Sequence, residues 1–293
     1  MYEINQNAII YSMDKAHPPV LTVPSGAIVK FCTNDALNGQ LTADNRNFEN
    51  FDWSDVNPAT GPLAIEGAKV GDVLRVEIQK IDLADTATLI SGKVLGVIAE
   101  QFEKIESLIM PVRNGFVELT DTLKIPVRPM IGVIGTAPAK AAVNNGTPGE
   151  HGGNMDCKEI TEGVVLYLPV NVEGALLSMG DLHAAMADGE VCGCGAEVSG
   201  AVTVKVDVLE DCHFPTPCIE SEETFMPIAS AETMDEAIKH VVNKGVSLLQ
   251  THYGLPLLEA IAFMSMAADV KICQVVDPLM TARVEIPKKY LTV

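Results

Sequence analysis

Along the first two thirds of the chain, apolar residues either alternate with polar ones or come in short unbroken runs. The plainest case is "AVTVKVDVLE". Val202, Val204, Val206 and Val208 fall on one side of an extended chain, and Thr203, Lys205 and Asp207 on the other. Successive strand side chains point to opposite faces, so this period of two predicts a half-exposed strand. "GDVLRVEIQKIDL" likewise sets Val73, Arg75 and Glu77 against Leu74, Val76 and Ile78, and "GAIVKFCT" follows Pro24 and Ser25 as another strand. "GVIGTAP", "GVVLYLPV" and "GALLSMGDLHA" are apolar runs bounded by glycine or proline, the pattern of buried strands.

Near residue 230 the period changes. Thr233 followed by Glu236 has the spacing of a capping box. Met234, Ile238, Val241, Val242, Leu248 and Leu249 recur at about 3.6 residues, and Gly254 suits the position just past a helix end. Pro256 then opens a second helix carrying Leu258, Ile261, Ala262 and the Met264–Met266 region. "VKICQVVD" and "ARVEIPKKY" return to strand. Many strands, two helices and two strands make an α+β chain, mainly β. A boundary fits best in the proline- and acid-rich segment 211–227. It divides a mainly-β body, 1–210, from a helix-helix-strand-strand portion, 211–293, packed on it, unless that segment is only a surface loop of one domain.

Composition narrows the function. Almost half of the 293 residues are apolar, which excludes a disordered chain. The 20 basic against 39 acidic residues give a net charge of −19. Such a surface repels phosphate backbones, so nucleic acid is not an expected partner, while a neutral substrate meets no penalty and inorganic cations are attracted. The N-terminal stretch has no basic region followed by a long apolar run, which points away from a signal peptide. The most apolar helical segment, "LPLLEAIAFMSMAAD", is short and interrupted by Glu259, well below a membrane span. Seven cysteines is an odd count, read as reduced thiols of a cytoplasmic protein. Cys192 and Cys194 lack the spacing of a zinc ribbon and are read as small buried thiols.

Against this background "SMGDLHAAMADGE" stands out: a half-buried segment carrying Asp181, His183, Asp188 and Glu190. Buried carboxylates require a compensating partner. On a strand, Asp181 and His183 share a face, and a turn at Asp188-Gly189 brings Glu190 back toward it, with Glu197 seven residues on. A second polar knot, "NNGTPGEHGGNMDCKEI", frames His151, Asn154 and Asp156 with glycines. A third, "FCTNDALNGQL", places Asn34 and Asp35 directly after a strand. Singly, each has a structural explanation: an Asp–His hydrogen bond, a long turn, an Asx turn. Together they offer imidazole nitrogen and carboxylate oxygen, a mixture that suits zinc or another first-row divalent ion better than calcium or magnesium.

These segments resemble the acetamidase/formamidase family, through "TNDALNGQL", "GTPGEHGGNMDCKEI", "YLPVNVEGALLSMGDLHAAMADGEVCG" with Glu197, and "DVKICQVVDP". The resemblance implies hydrolysis of short aliphatic amides to a carboxylate and ammonia. It also implies a β-sandwich-like body with a smaller α/β C-terminal portion, a bound divalent metal ion and a homo-oligomer, a dimer or larger. Where similar proteins carry an amide-bearing residue and a glycine, this chain has Met186 and Ala187, and Cys157 replaces a residue that is often polar. An apolar thioether at 186, against the substrate, would favour a bulkier or less polar acyl group.

On this reading Asp156 and His183, with Asp35 as third ligand and Asp181 beside them, hold the metal: zinc, or alternatively calcium or another divalent ion. Such an ion lowers the pKa of water from 15.7 to roughly 7. Glu190 or Glu197 moves the proton, and His151 orients the carbonyl or adds a ligand. Asn154, Asn34 and Met186 meet the small neutral amide. Two other readings fit the same residues: a non-catalytic metal- or small-ligand-binding β protein, and a hydrolase of a cyclic amide, carbamate or ester.

Overall fold

The computed structural model describes residues 1–291, so the last two positions of the expected 211–293 portion lie outside the described residues. The fold is mainly β, as the period-two segments predict. One sheet runs, in spatial order, through the strands Tyr2–Ile4, Ala27–Thr33, Gly200–Leu209, Val73–Leu83, Val165–Pro169, Cys218–Glu220, Thr224–Ala231, Met280–Pro287 and Asp269–Gln274. The other runs through Lys124–Pro126, Phe116–Glu118, Ile105–Arg113, Thr86–Gly92, Glu197–Val198, Leu177–His183, Met130–Gly135 and Gly152–Asn154, with Ala59–Ile65 also pairing on Leu177–His183. Almost all neighbours are antiparallel, which allows short connections.

The sheets share one core. Val29, Phe31, Val76, Ile78, Val202 and Val204 from the first meet Leu63, Ile131, Ile134, Leu177 and Met179 from the second in a single buried cluster. This is the β-sandwich-like body expected, and its apolar contact is the main source of stability. "AVTVKVDVLE" buries Val202, Val204 and Val206 as its alternation requires. In the second sheet the register sets His183 opposite Met130 on one side and Glu197 on the other, so the strands Leu177–His183 and Glu197–Val198 bring their polar residues to one place.

The C-terminal strands continue the first sheet, and two helices, α1 (Met234–Tyr253) and α2 (Leu257–Ala267), pack on them. A second apolar cluster joins Ala229, Val284 and Ile286 of the strands to Val241 and Leu249 of α1. Thr233 caps α1: its Oγ1 accepts the Glu236 N–H at 3.3 Å and donates to the Glu236 carboxylate at 3.1 Å. The cap contributes about 1 kcal/mol. Gly254 ends the helix at a φ of +67°, a conformation glycine adopts without penalty.

For α2 the sequence pattern and the packing part company. Only Ala260 and Met264 are buried, while Leu258 is 78% and Met266 81% exposed. The reason is geometric: α1 already covers the strands, so α2 reaches the core along a narrow seam where Met264 rests on Gly245.

A buried arginine and a half-buried lysine tie this C-terminal part to the loops of the body. Arg283 is buried and donates to both oxygens of Asp188, at 2.7 and 2.9 Å, to Glu285 at 3.0 Å and to the Ile272 carbonyl at 3.2 Å. Lys244 on α1 donates to the carbonyls of Thr216 and Ile228 and pairs with Glu150 at 2.9 Å. Asp188 and Glu150 stand beside Glu190 and His151 in the chain. Removing one partner of a buried pair strands the other, so Arg283→Met is expected to lower unfolding stability by roughly 2–3 kcal/mol, discounted for the partial exposure of Asp188. Urea denaturation measures it, and a loss below about 0.5 kcal/mol would contradict this account.

Candidate active site

The site is built around one atom. His183 Nε2 lies 3.1 Å from Glu197 Oε1, 3.3 Å from Asp181 Oδ1 and 3.9 Å from Asp156 Oδ1. Glu190 joins from the loop after the strand: ligand atoms of Asp156, His183 and Glu190 lie within 4.8 Å of one another, as do those of Asp181, His183 and Glu197. All five side chains are buried. An imidazole nitrogen has at most one proton to donate, so it cannot satisfy three carboxylates. Among the described residues, both oxygens of Asp156, Glu190 Oε2, Glu197 Oε2 and His183 Nδ1 have no hydrogen-bond partner. Buried polar atoms are nearly always paired, and these unpaired ones converge. Nitrogen and carboxylate oxygen in this arrangement are a donor set that fits a divalent cation.

The backbone is strained to make the cluster. Asp156, Asp181 and Glu190 have φ of +40°, +55° and +48°, in the left-handed region that side chains with a Cβ avoid. Each costs on the order of 1–2 kcal/mol and persists only because the surroundings impose it. Asp181 and His183 therefore meet, as expected, but with Asp181 itself in left-handed backbone and not by plain strand alternation. Two glycines make room. A Cβ on Gly132 would overlap the carboxylate oxygens of both Asp181 and Asp156, and a Cβ on Gly195 would overlap His183 Nδ1.

The other expected residues have other surroundings. Asp35 Oδ1 accepts the N–H groups of Leu37 and Gly39 at 2.9 and 3.3 Å, an Asx turn, and Asp35 belongs to neither trio around His183. Asn34 donates to Asn38 Oδ1 at 2.8 Å. His151 is buried, its Nε2 unpartnered among the described residues, in a tight turn closed by Gly149 and Gly152. Asn154 donates to Asp277 at 3.0 Å, and its Oδ1 has no partner among the described residues. Met186 lines an apolar cleft together with Glu190, Cys192 and Cys194. Neither cysteine is fully buried, and a hydrogen bond from Cys194 brings the Cys192 thiol down to about 6.

Asp277, Gly132 and Gly195 also shape the cluster and carry little signal in the sequence. Asp277 is visible there only as the acid of "QVVDP"; the glycines look like any others in apolar or turn segments.

Charge in the cluster is unbalanced. Burial, and then the neighbouring acids, push Asp156, Glu190, Glu197 and Asp277 above the usual carboxylate range. Burial presses on Asp181 and His183 too. For His183 the charges of Glu197 and Asp181 outweigh it and raise the imidazole pKa; for Asp181 the His183 charge outweighs it and lowers the carboxyl pKa. A bound divalent ion would favour the ionised form of every acid here.

His151 is different: burial lowers its pKa to about 4, so the ring is neutral at neutral pH. The unfolded chain takes up that proton near pH 6.5, whereas the folded chain refuses it until about pH 4. Stability from this group is thus complete above the unfolded value and declines as the pH falls from 6.5 to 4, by at most about 3 kcal/mol. Urea denaturation of the wild type and of His151→Gln across that range should show the variant gaining relative stability toward low pH. A constant difference would contradict it.

Similar proteins bear on this geometry. The sequence pattern of the Acetamidase/Formamidase family matches residues 10–147 and 139–290. A relative in Schizosaccharomyces pombe is 28% identical over an alignment of 251 positions that covers 65% of this chain and 61% of that one. A formamidase of Methylophilus methylotrophus is 44% identical over 81 residues, 26% of this chain and 20% of that one. The chain thus spans less than two thirds of the length of these two relatives. The solved structure of an acetamidase from Bacillus halodurans is 41% identical and superimposes with a TM-score of 0.96, covering 99% of this chain and 100% of that one. Matched by the family pattern over nearly its whole length, the chain belongs to the acetamidase/formamidase family.

Proposed function

We propose that the protein hydrolyses small neutral amides to a carboxylate and ammonia, using a divalent cation held by Asp156, Asp181, His183 and Glu197. Zinc or another first-row ion suits the mixed nitrogen and oxygen donors. One observation carries this reading: carboxylates from three separate stretches of chain stand around a single imidazole nitrogen, with buried oxygens that nothing else satisfies. The acetamidase and formamidase names of the similar proteins support the amide as substrate.

When bound, such an ion supplies Lewis-acid chemistry, lowering the pKa of water from 15.7 to roughly 7 and polarising a carbonyl oxygen. The chain's own residues divide the remaining work. Glu190 has an unpartnered oxygen and borders the open cleft, so it is placed to take a proton from water and return it to the departing nitrogen. The neutral ring of His151 and the unpartnered end of Asn154 are suited to hydrogen-bond the amide without adding charge. The nearly sealed surroundings exclude bulk water, which strengthens each electrostatic contact. The apolar residues that α2 leaves exposed, Leu258 and Met266, support a homo-oligomer in which a second copy covers them.

Two results are expected. Protein purified without an affinity tag should contain a stoichiometric divalent metal by mass spectrometry and release ammonia from formamide, acetamide or propionamide. His183→Ala should lose both, with turnover down by more than about 100-fold. Full turnover in chelated, metal-free protein would overturn the metal, and no ammonia from metal-loaded protein would overturn the amidase. Gly132→Ala should also reduce metal content and turnover by more than about tenfold, because its methyl group displaces two carboxylates. Normal metal content in that variant would refute the proposed ligand set.

A further inference from the structure

We propose that the acyl group of the substrate lies in the apolar cleft beside Glu190, so that the preferred substrates are neutral primary amides with a branched aliphatic or phenyl acyl group. This inference rests on the amidase reading and names its substrate class. The cleft holds about 480 Å³, with walls formed by Leu89, Met110, Val117, Ile125 and Met186. Its position follows from Glu190, which lines the cleft and is also one of the groups clustered with Asp156 and His183. An amide whose nitrogen meets Glu190 therefore directs its acyl carbon chain along these walls.

Size and charge define the occupant. A water molecule's share of liquid is about 30 Å³, and the hydrogen or methyl group of formamide or acetamide is of that order. Either would leave most of the cleft filled with water against apolar side chains, whereas a larger apolar group would displace it. The charged side chains at the cleft other than Glu190 already have partners. Arg128 pairs with Glu159, and Asp188 with Arg283 and Lys158. A carboxylate or ammonium on the acyl group would find no free counter-charge. The Met186 thioether is flexible and polarizable, suited to closing on either a branched chain or a ring.

The test compares acetamide, isovaleramide and phenylacetamide with the full metal-containing protein, measuring ammonia release and, separately, calorimetric binding. One methylene in an apolar pocket is worth about 10-fold or more in kcat/KM, so isovaleramide should exceed acetamide by at least roughly tenfold. Ile125→Asp, at the half-exposed rim, should reduce the isovaleramide-to-acetamide ratio by about fivefold or more. Hydrolysis of acetamide with equal or weaker hydrolysis of the larger amides overturns the cleft and leaves the amidase reading intact. Isovaleramide binding that weakens in Ile125→Asp, without turnover of any amide, overturns the amidase reading and retains the cleft as a ligand site. Neither binding nor turnover overturns both.

Discussion

An imidazole nitrogen can give one proton, and here the carboxylates of Asp156, Asp181 and Glu197 all stand within 4 Å of it, with Glu190 close by. Left to themselves, these acids would separate into water, where each charge is solvated and the repulsion screened. The fold prevents this. Three of the cluster's residues sit in left-handed backbone, Gly132 yields the space its side chain would have filled, and the adjacent strands hold His183 and Glu197 opposite each other. Local strain of this kind is sustained by the large shared core of the two sheets. On the proposed reading, a cation gathering the oxygens would turn an electrostatic liability into a stable assembly.

The C-terminal part has a role in the same arrangement. Its strands extend the first sheet, but two of its cations, Arg283 and Lys244, reach into the body. Arg283 grips Asp188 two residues before Glu190, and Lys244 pairs with Glu150 next to His151. The loops that carry the candidate proton carrier and the neutral imidazole are therefore tethered to a separate apolar cluster, that of α1 and its strands. Holding catalytic groups from two independently packed regions is a common way to make a loop as rigid as the scaffold.

The site also joins two opposite environments. On one side is the dense polar cluster with almost no exposed surface; on the other is a cleft walled by apolar side chains, and Glu190 belongs to both. An amide has the same division, a polar reacting end and an apolar remainder. The family relationship and this matching division point to the same class of chemistry, and on the proposed reading the cleft's size would bear on which acyl group is accepted.

By itself the sequence determined the mainly-β fold, the capped helix after Thr233, and the acids and imidazole that come together. Those features rest on local rules: strand side chains alternate, helix ends need caps, and a buried run with unpaired charge demands a partner. Tertiary structure decided what depends on distant contacts. It brought Asp277 onto Asn154, made Gly132 a cradle for two carboxylates, and left the apolar face of α2 uncovered because α1 already occupies the strands. None of these has a local signature, since an Asp, a Gly or a Leu reads the same in the chain whichever neighbour the fold supplies.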